Sequence, residues 1–81
     1  MFFYVYVLIT KKKPFKTYVG WTNNLRNRLL KHNSGKGAKT TRGRKWKILY
    51  TEKFNTKKGA MSKEYHLKKN KKFRKSLRER L

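Results

Sequence analysis

The chain has 81 residues with no cysteine, and its 25 Lys and Arg against 3 acidic residues give a net charge of +22. This length leaves room for one compact domain over residues 1–81, and the absence of cysteine excludes disulfides and thiolate zinc sites. So basic a surface repels itself until a polyanion neutralises it, so nucleic acid is the expected partner, and the alternatives are an anionic membrane surface or a merely solvated lysine-rich surface.

An apolar run at residues 2–9 predicts the first strand. It is aromatic and β-branched without polar alternation, which is typical of a central strand covered on both faces. A transmembrane helix needs about 20 apolar residues, and the run lacks the flanks of a signal peptide, so we expect an unprocessed cytoplasmic protein with no membrane partner. Residues 10–14 turn the chain, and residues 15–21 predict a second strand that forms an antiparallel hairpin with the first.

A first helix is predicted after this hairpin. Thr22 or Asn23 offers the N-cap oxygen, and Asn33-Ser34-Gly35 is typical of a helix end. The apolar positions between them are Leu25, Leu29 and Leu30. The polar, glycine-rich residues 35–44 then predict a flexible basic loop outside the core. We expect this loop to contact phosphate through Lys36, Lys39, Thr41, Arg42 and Arg44.

The second half of the chain predicts one strand and two helices. Residues 46–54 alternate as a strand, and its predicted face carries Trp46, Ile48 and Tyr50. Thr56 is the expected cap of a helix at about residues 57–69, with an inward stripe of Ala60, Met61, Glu64 and Leu67. The four-residue spacing of Phe73, Leu77 and Leu81 predicts a short basic amphipathic helix. The expected fold is α+β, in the order β-β-α-β-α-α.

Two tyrosine strings stand out as candidates for chemistry, Tyr4-Val5-Tyr6 in the first strand and Tyr18-Val19-Gly20 in the second. Paired in a hairpin, they place two phenols on one face of the sheet, although ordinary cross-strand aromatic packing is an alternative. Arg28 and His32 are four residues apart on the first helix, so they share a face that leans toward these tyrosines. Taken alone, either residue has a structural alternative, an exposed arginine or a histidine at a helix end.

Glu64 is one of three acidic residues and lies on an apolar stripe. Burying a carboxylate is costly unless a cation shares the site, so a divalent metal or Arg28 is the expected partner, and a salt bridge to a lysine is the alternative. Mg²⁺ is commonly held by only one or two carboxylates. A metal, a cation and a base are together what phosphodiester hydrolysis needs.

On these residues the chain resembles a GIY-YIG nuclease domain over nearly its whole length. Tyr4-Val5-Tyr6 stands where the family has Gly-Ile-Tyr, with Tyr4 replacing the glycine, and Tyr18-Val19-Gly20 stands where it has Tyr-Ile-Gly. Arg28, His32 and Glu64 fall at the family's catalytic arginine, a frequent histidine and the metal-binding glutamate. Residues 32–42 resemble the compact stand-alone bacterial members and the catalytic domain of the eukaryotic structure-specific endonuclease.

The resemblance implies a three-stranded antiparallel sheet flanked by helices, and hydrolysis of DNA with Mg²⁺ or Mn²⁺ held by Glu64. It implies that Tyr6 or Tyr18 helps to activate water, that Arg28 grips the scissile phosphate, and that His32 orients a tyrosine or relays a proton. We expect branched or single-stranded DNA as the substrate, in repair or recombination at the nucleoid. The eukaryotic relative carries a further zinc domain and works with a partner subunit. Because this chain has neither cysteines nor room for such a domain, no obligate protein partner is inferred. The competing hypothesis is a basic DNA- or RNA-binding module that does not cut.

Overall fold

A computed structural model, which describes residues 1–80, contains a three-stranded antiparallel sheet flanked by helices. The elements are β1 (Phe3–Thr10), β2 (Thr17–Thr22), α1 (Leu25–Asn33), a one-turn 3-10 helix (Lys39–Thr41), β3 (Trp46–Phe54), α2 (Lys57–Lys69) and α3 (Lys71–Glu79). The predicted order β-β-α-β-α-α is confirmed, and the predicted position of Leu81 lies outside the described residues. None of the helices in residues 1–80 has the length and apolar character needed to cross a membrane.

Strand β1 lies in the middle of the sheet, which has the order β2-β1-β3. Alternation along β1 sends its side chains to two separate cores. Val5 and Val7 pack on one face with residues of α2 and α3, among them Ala60, Leu67 and Leu77. Tyr6 and Leu8 pack on the other face with Trp46 and with Leu25 and Leu29 of α1. Because both faces are covered, β1 is apolar without alternation, as predicted.

Strand β3 departs from its predicted pattern. Its register with β1 shifts between the pair Val7 and Tyr50 and the pair Leu8 and Ile48, so Leu49 is an extra residue. Such a bulge inverts the side-chain alternation beyond it. Tyr50 therefore packs with Val7 on the α2 side, and the prediction that it shares a face with Ile48 is wrong.

The helix starts are set by side-chain caps. Asn24 caps α1 by accepting a hydrogen bond from the Asn27 N–H at 3.1 Å, so the predicted cap, Thr22 or Asn23, lies too early. The hydroxyl of Thr22 instead accepts from the Asn24 N–H at 3.0 Å. Thr56 caps α2 as predicted, because its hydroxyl accepts from the Gly59 N–H at 3.0 Å.

Helix α2 turns a narrower stripe toward the sheet than predicted. Ala60 and Leu67 are buried, whereas Met61 is 47% exposed. At 3.6 residues per turn, Met61 lies roughly 100° around the helix from Ala60, and Glu64 only about 40°. The inward prediction is therefore wrong for Met61, while Glu64 lies at the edge of the buried stripe with its side chain 22% exposed.

Candidate active site

Tyr6 and Tyr18 meet on the α1 side of the sheet. Strands β1 and β2 pair so that Tyr6 is opposite Gly20 and Leu8 is opposite Tyr18. The two phenols are therefore diagonal neighbours, with ring centroids 6.5 Å apart. The Tyr6 ring lies over Gly20, where an added Cβ would stand 2.5 Å from the Tyr6 Oη. Gly20 is thus needed for space, because any side chain there would displace the phenol.

His32 completes an aromatic cluster with these phenols. Its ring centroid lies 5.1 Å from that of Tyr18 and 5.9 Å from that of Tyr6, and the residue is only 1% exposed. The His32 Nε2 is 3.0 Å from the Tyr6 Oη, and the His32 Nδ1 is 2.9 Å from the Thr41 Oγ1. The histidine therefore leans toward the tyrosines, as its position on the helix predicts.

The hydrogen bonds around His32 determine its tautomer. The Thr41 hydroxyl donates its hydrogen to the Ala38 carbonyl at 2.8 Å. A hydroxyl has one hydrogen, so the Thr41 Oγ1 accepts from His32 Nδ1–H. Burial first, and then the charge of Arg28, lower the pKa of His32 from its usual 6.5, which keeps the ring neutral near pH 7. The Nε2 of a neutral ring with Nδ1–H is an acceptor, so the Tyr6 hydroxyl donates to His32.

The charges of Arg28 and Glu64 also affect the pKa of Tyr6. Burial, and next the neighbouring Tyr18, raise the pKa of the Tyr6 phenol well above its usual value of 10. The positive charge of Arg28 lowers that pKa and the negative charge of Glu64 raises it. Both charges therefore act on one phenol, which keeps its proton at neutral pH.

Glu64 has an ion-pair partner within residues 1–80, whereas Arg28 has none there. Arg28 is half-buried and lines a crevice with Tyr6, Leu25 and Leu29. No carboxylate in residues 1–80 pairs with Arg28, since the two ion pairs there are Lys63 with Glu52 and Lys68 with Glu64. The Lys68 Nζ lies 3.8 Å from the Glu64 Oε1 and its own side chain is 52% exposed. Glu64 is therefore only loosely paired, and Arg28 keeps its donors for another anion.

The donor set at Glu64 fits a site with one carboxylate. No group of three His, Cys, Asp or Glu side chains arranged to hold a metal is found in residues 1–80. Mg²⁺ does not need such a group, because waters and substrate phosphate fill most of its six positions. A half-buried carboxylate whose only ion pair in that range is a long one to an exposed lysine suits that requirement.

The basic loop lies only partly outside the core. Lys36, Lys39 and Arg42 are exposed, and Arg44 is half-buried. Thr41 is 0% exposed, which corrects its prediction as a phosphate contact. The 3-10 helix folds the loop back onto α1, so that the Thr41 hydroxyl holds His32 and its carbonyl accepts from the Trp46 Nε1–H at 2.9 Å.

Two supporting roles are absent from the sequence predictions, those of Gly37 and Asn33. A Cβ on Gly37 would collide with the His32 ring and stand 3.0 Å from the His32 Cα. The Asn33 amide donates to the Trp46 carbonyl at 3.1 Å and accepts from the Trp46 N–H at 2.6 Å, which joins the end of α1 to β3. Gly37 and Asn33 lie within residues 32–42, the stretch that resembles the compact bacterial members, but that resemblance does not indicate which residues support His32.

Known proteins resemble this chain over most of its length. The GIY-YIG catalytic domain family matches residues 2–77. A UPF0213 protein of Clostridium perfringens is 52% identical over 65 residues, 79% of this chain and 70% of that protein. A UPF0213 protein of Oceanobacillus iheyensis is 47% identical over 71 residues, 86% of this chain and 83% of that protein.

A solved structure also matches. The solution NMR structure of UPF0213 protein BH0048 from Bacillus halodurans is 40% identical, with a TM-score of 0.53, covering 94% of this chain and 80% of that one. The fold, the family match and these relatives agree. The chain belongs to the GIY-YIG catalytic domain family, which is a family of nucleases.

Proposed function

We propose that this protein is a metal-dependent endonuclease that hydrolyses phosphodiester bonds in DNA. The observation that carries the proposal is the hydrogen bond from Tyr6 to His32. The charges of Arg28 and Glu64 both shift the pKa of this Tyr6 phenol. Nucleases of the GIY-YIG family act on DNA and generally depend on a divalent metal. Each of these side chains can therefore supply a step that the family's reaction needs.

Tyr6 and His32 form a proton relay for the attacking water. Because the Tyr6 hydrogen points at His32 Nε2, the lone pairs of Oη are available to a water. As the water oxygen bonds to phosphorus and the bond from phosphorus to the leaving sugar oxygen breaks, the water proton passes to the Tyr6 Oη and the Tyr6 proton passes to His32 Nε2. The leaving oxygen takes its proton from solvent water. The raised pKa of Tyr6 makes a preformed phenolate costly, so this coupled transfer is the favoured form of general base catalysis.

Arg28 and Glu64 supply the charges that the transition state needs. The guanidinium of Arg28 is suited to donating two hydrogen bonds to one phosphate and stabilises the charge that develops on it. Glu64 would hold Mg²⁺ or Mn²⁺, which when bound stabilises negative charge on the phosphoryl and leaving oxygens. Tyr18 packs against both relay residues and restricts their movement.

The substrate is DNA with a branch or a single-stranded segment, in repair or recombination at the nucleoid. Lys36, Lys39, Arg42 and Arg44 contact its phosphates from the basic loop. Phosphate contacts position a protein on DNA without reading its sequence, so we expect selection of DNA structure rather than of base sequence. Every catalytic group in the proposal comes from this chain, and no protein partner is required.

A cleavage assay with two matched carboxylate variants tests the proposal. Labelled duplex, flap and single-stranded DNA are incubated with the protein in Mg²⁺ or Mn²⁺. Wild type and Glu79→Ala, which removes an exposed acid of α3, should cut, whereas Glu64→Ala should bind DNA without cutting it. Intact DNA with the wild type in every condition, or equal cutting by Glu64→Ala, would overturn the proposal.

A second candidate is a basic module that coats DNA or RNA without cutting. The net charge of +22 favours it, because one active site needs far fewer cations. In that case affinity should fall steeply with salt, and the nucleic acid should stay intact with wild type, Glu64→Ala and Arg28→Ala alike. Cleavage by the wild type alone would exclude this candidate.

A further inference from the structure

We propose that a groove beside Tyr18 holds one unpaired strand of DNA by its phosphates. This inference rests on the proposed function and names the substrate's path to the site. The groove has a volume of about 460 Å³, and its lining includes Lys16, Tyr18, Thr40, Trp46, Lys68 and Arg74. We call it the strand groove. Lys16, Lys68 and Arg74 all lie outside the basic loop.

The strand groove gathers positive charge from three parts of the chain. Lys16 precedes β2, Lys68 lies on α2 and Arg74 on α3. Within residues 1–80, no acidic residue is among the side chains that line it. Converging cations repel one another unless an anion lies between them. A row of phosphates supplies that anion along the length of a groove, which a single small ion does not.

A hydrogen bond restrains the Arg74 side chain at the groove. Its Nη2 donates to the Lys68 carbonyl at 3.0 Å, which fixes the guanidinium between α2 and α3. Its Nε is buried and has no hydrogen-bond partner within residues 1–80. A buried donor without an acceptor is unfavourable. Because this Nε is buried, an anion in the groove reaches the guanidinium through its other nitrogens. Its negative charge is favourable there, since no acidic side chain in residues 1–80 pairs with Arg74.

The floor of the groove connects it to the proposed catalytic residues. The Tyr18 ring packs against His32 and Tyr6 and also lines the groove. Lys68, on one wall, lies 3.8 Å from the Glu64 carboxylate. A strand in the groove therefore contacts Tyr18, whose ring packs on the buried Tyr6, and runs close to the Glu64 carboxylate. Tyr18 is the partly exposed aromatic residue of the lining, and aromatic side chains in such grooves stack on unpaired bases, which favours a single strand over a duplex.

Binding measurements in EDTA test the groove without any cleavage. A fluorescein-labelled 12-nucleotide oligo(dT) is titrated with Lys16→Gln, Arg74→Gln and Lys75→Gln, each of which removes one positive charge. Lys75 is exposed on α3 beside Arg74 and is the matched control. We expect the two groove variants to bind roughly fivefold more weakly than wild type and to lose about 0.7 from the salt slope of log affinity. The control should change less than twofold.

Further outcomes separate the groove from net charge and from misfolding. Equal weakening by all three variants would mean that only net charge counts, and would overturn the groove. If Arg74→Gln fails to fold by circular dichroism, exposed Lys16→Gln still decides the result. Equal losses of affinity for a 12-base-pair duplex would overturn the preference for a single strand.

The two proposals fail separately. If the wild type cuts DNA but the groove variants bind oligo(dT) with the same affinity as Lys75→Gln, the proposed function stands and the groove proposal is wrong. If the protein binds oligo(dT) through Lys16 and Arg74 but cuts no DNA, the groove proposal stands and the nuclease proposal is wrong.

Discussion

Replacing Thr41 with valine tests the chain of hydrogen bonds behind the proposed relay. Valine keeps the shape of the buried side chain and removes the hydroxyl that accepts from His32 Nδ1–H. The donor is then buried without an acceptor, which costs about 1–3 kcal/mol. The bond is worth about 0.5–1.5 kcal/mol to the neutral ring and about 1.5–3 kcal/mol to the protonated ring that forms during catalysis, so protonation strengthens it by about 1–1.5 kcal/mol. At about 1.4 kcal/mol per decade, we expect the cleavage rate to fall roughly fivefold to tenfold.

The tautomer is measurable without any enzymatic activity. Long-range proton–nitrogen NMR correlation at pH 8 distinguishes Nδ1–H from Nε2–H, and the chain has only two histidines, of which His66 is exposed. We expect His32 to be protonated on Nδ1 in the wild type and in Thr41→Ser, which keeps a hydroxyl. In Thr41→Val the population should move toward Nε2–H, because only Tyr6 then remains as a partner.

Rates under single-turnover conditions complete the comparison. Thr41→Ser should cut at nearly the wild-type rate, and Thr41→Val should cut more slowly with little change in DNA affinity. The reasoning fails if wild-type His32 carries its proton on Nε2, or if the serine and valine variants have the same rate and stability.

Three further predictions concern the same cluster. Gly20→Ala should lower the cleavage rate at least tenfold and destabilise the fold by about 1–3 kcal/mol, because the added Cβ displaces the Tyr6 Oη; circular dichroism and urea unfolding measure the second effect. Tyr6→Phe should slow cleavage by about 10²-fold to 10⁴-fold with unchanged DNA affinity, whereas Tyr4→Phe should cut normally, and equal rates for the two would argue against the relay. Because folding lowers the pKa of His32, the neutral ring adds to the free energy of unfolding. This contribution is complete above about pH 6.5 and is lost as pH falls toward the folded-state pKa of His32. Urea titrations from pH 5 to 8 should show this loss in the wild type and in His66→Gln, and a pH-independent stability would contradict it.

The local sequence determined most of the secondary structure. Residues 57–69 were predicted as a helix capped by Thr56, and residues 46–54 as a strand, and both agree with the structure. These signals lie within a few residues of one another, so no distant partner is needed to interpret them. The meeting of Tyr6, Tyr18 and His32 was predictable for a similar reason. The two-residue period of a hairpin and the four-residue spacing of a helix place these side chains on facing surfaces.

Only the tertiary structure decided which residues hold that site in place. The buried hydroxyl of Thr41 was predicted to face DNA because its neighbours in sequence are basic, yet it packs on His32 from nine residues away. Tyr50 changes face because of a bulge at Leu49, and a bulge depends on the partner strand as much as on its own. The tautomer of His32 follows from the Ala38 carbonyl, a backbone group present at every residue and therefore invisible in any sequence pattern. Contacts that form only in the folded chain set all three, since burial and hydrogen bonding are properties of the assembled chain.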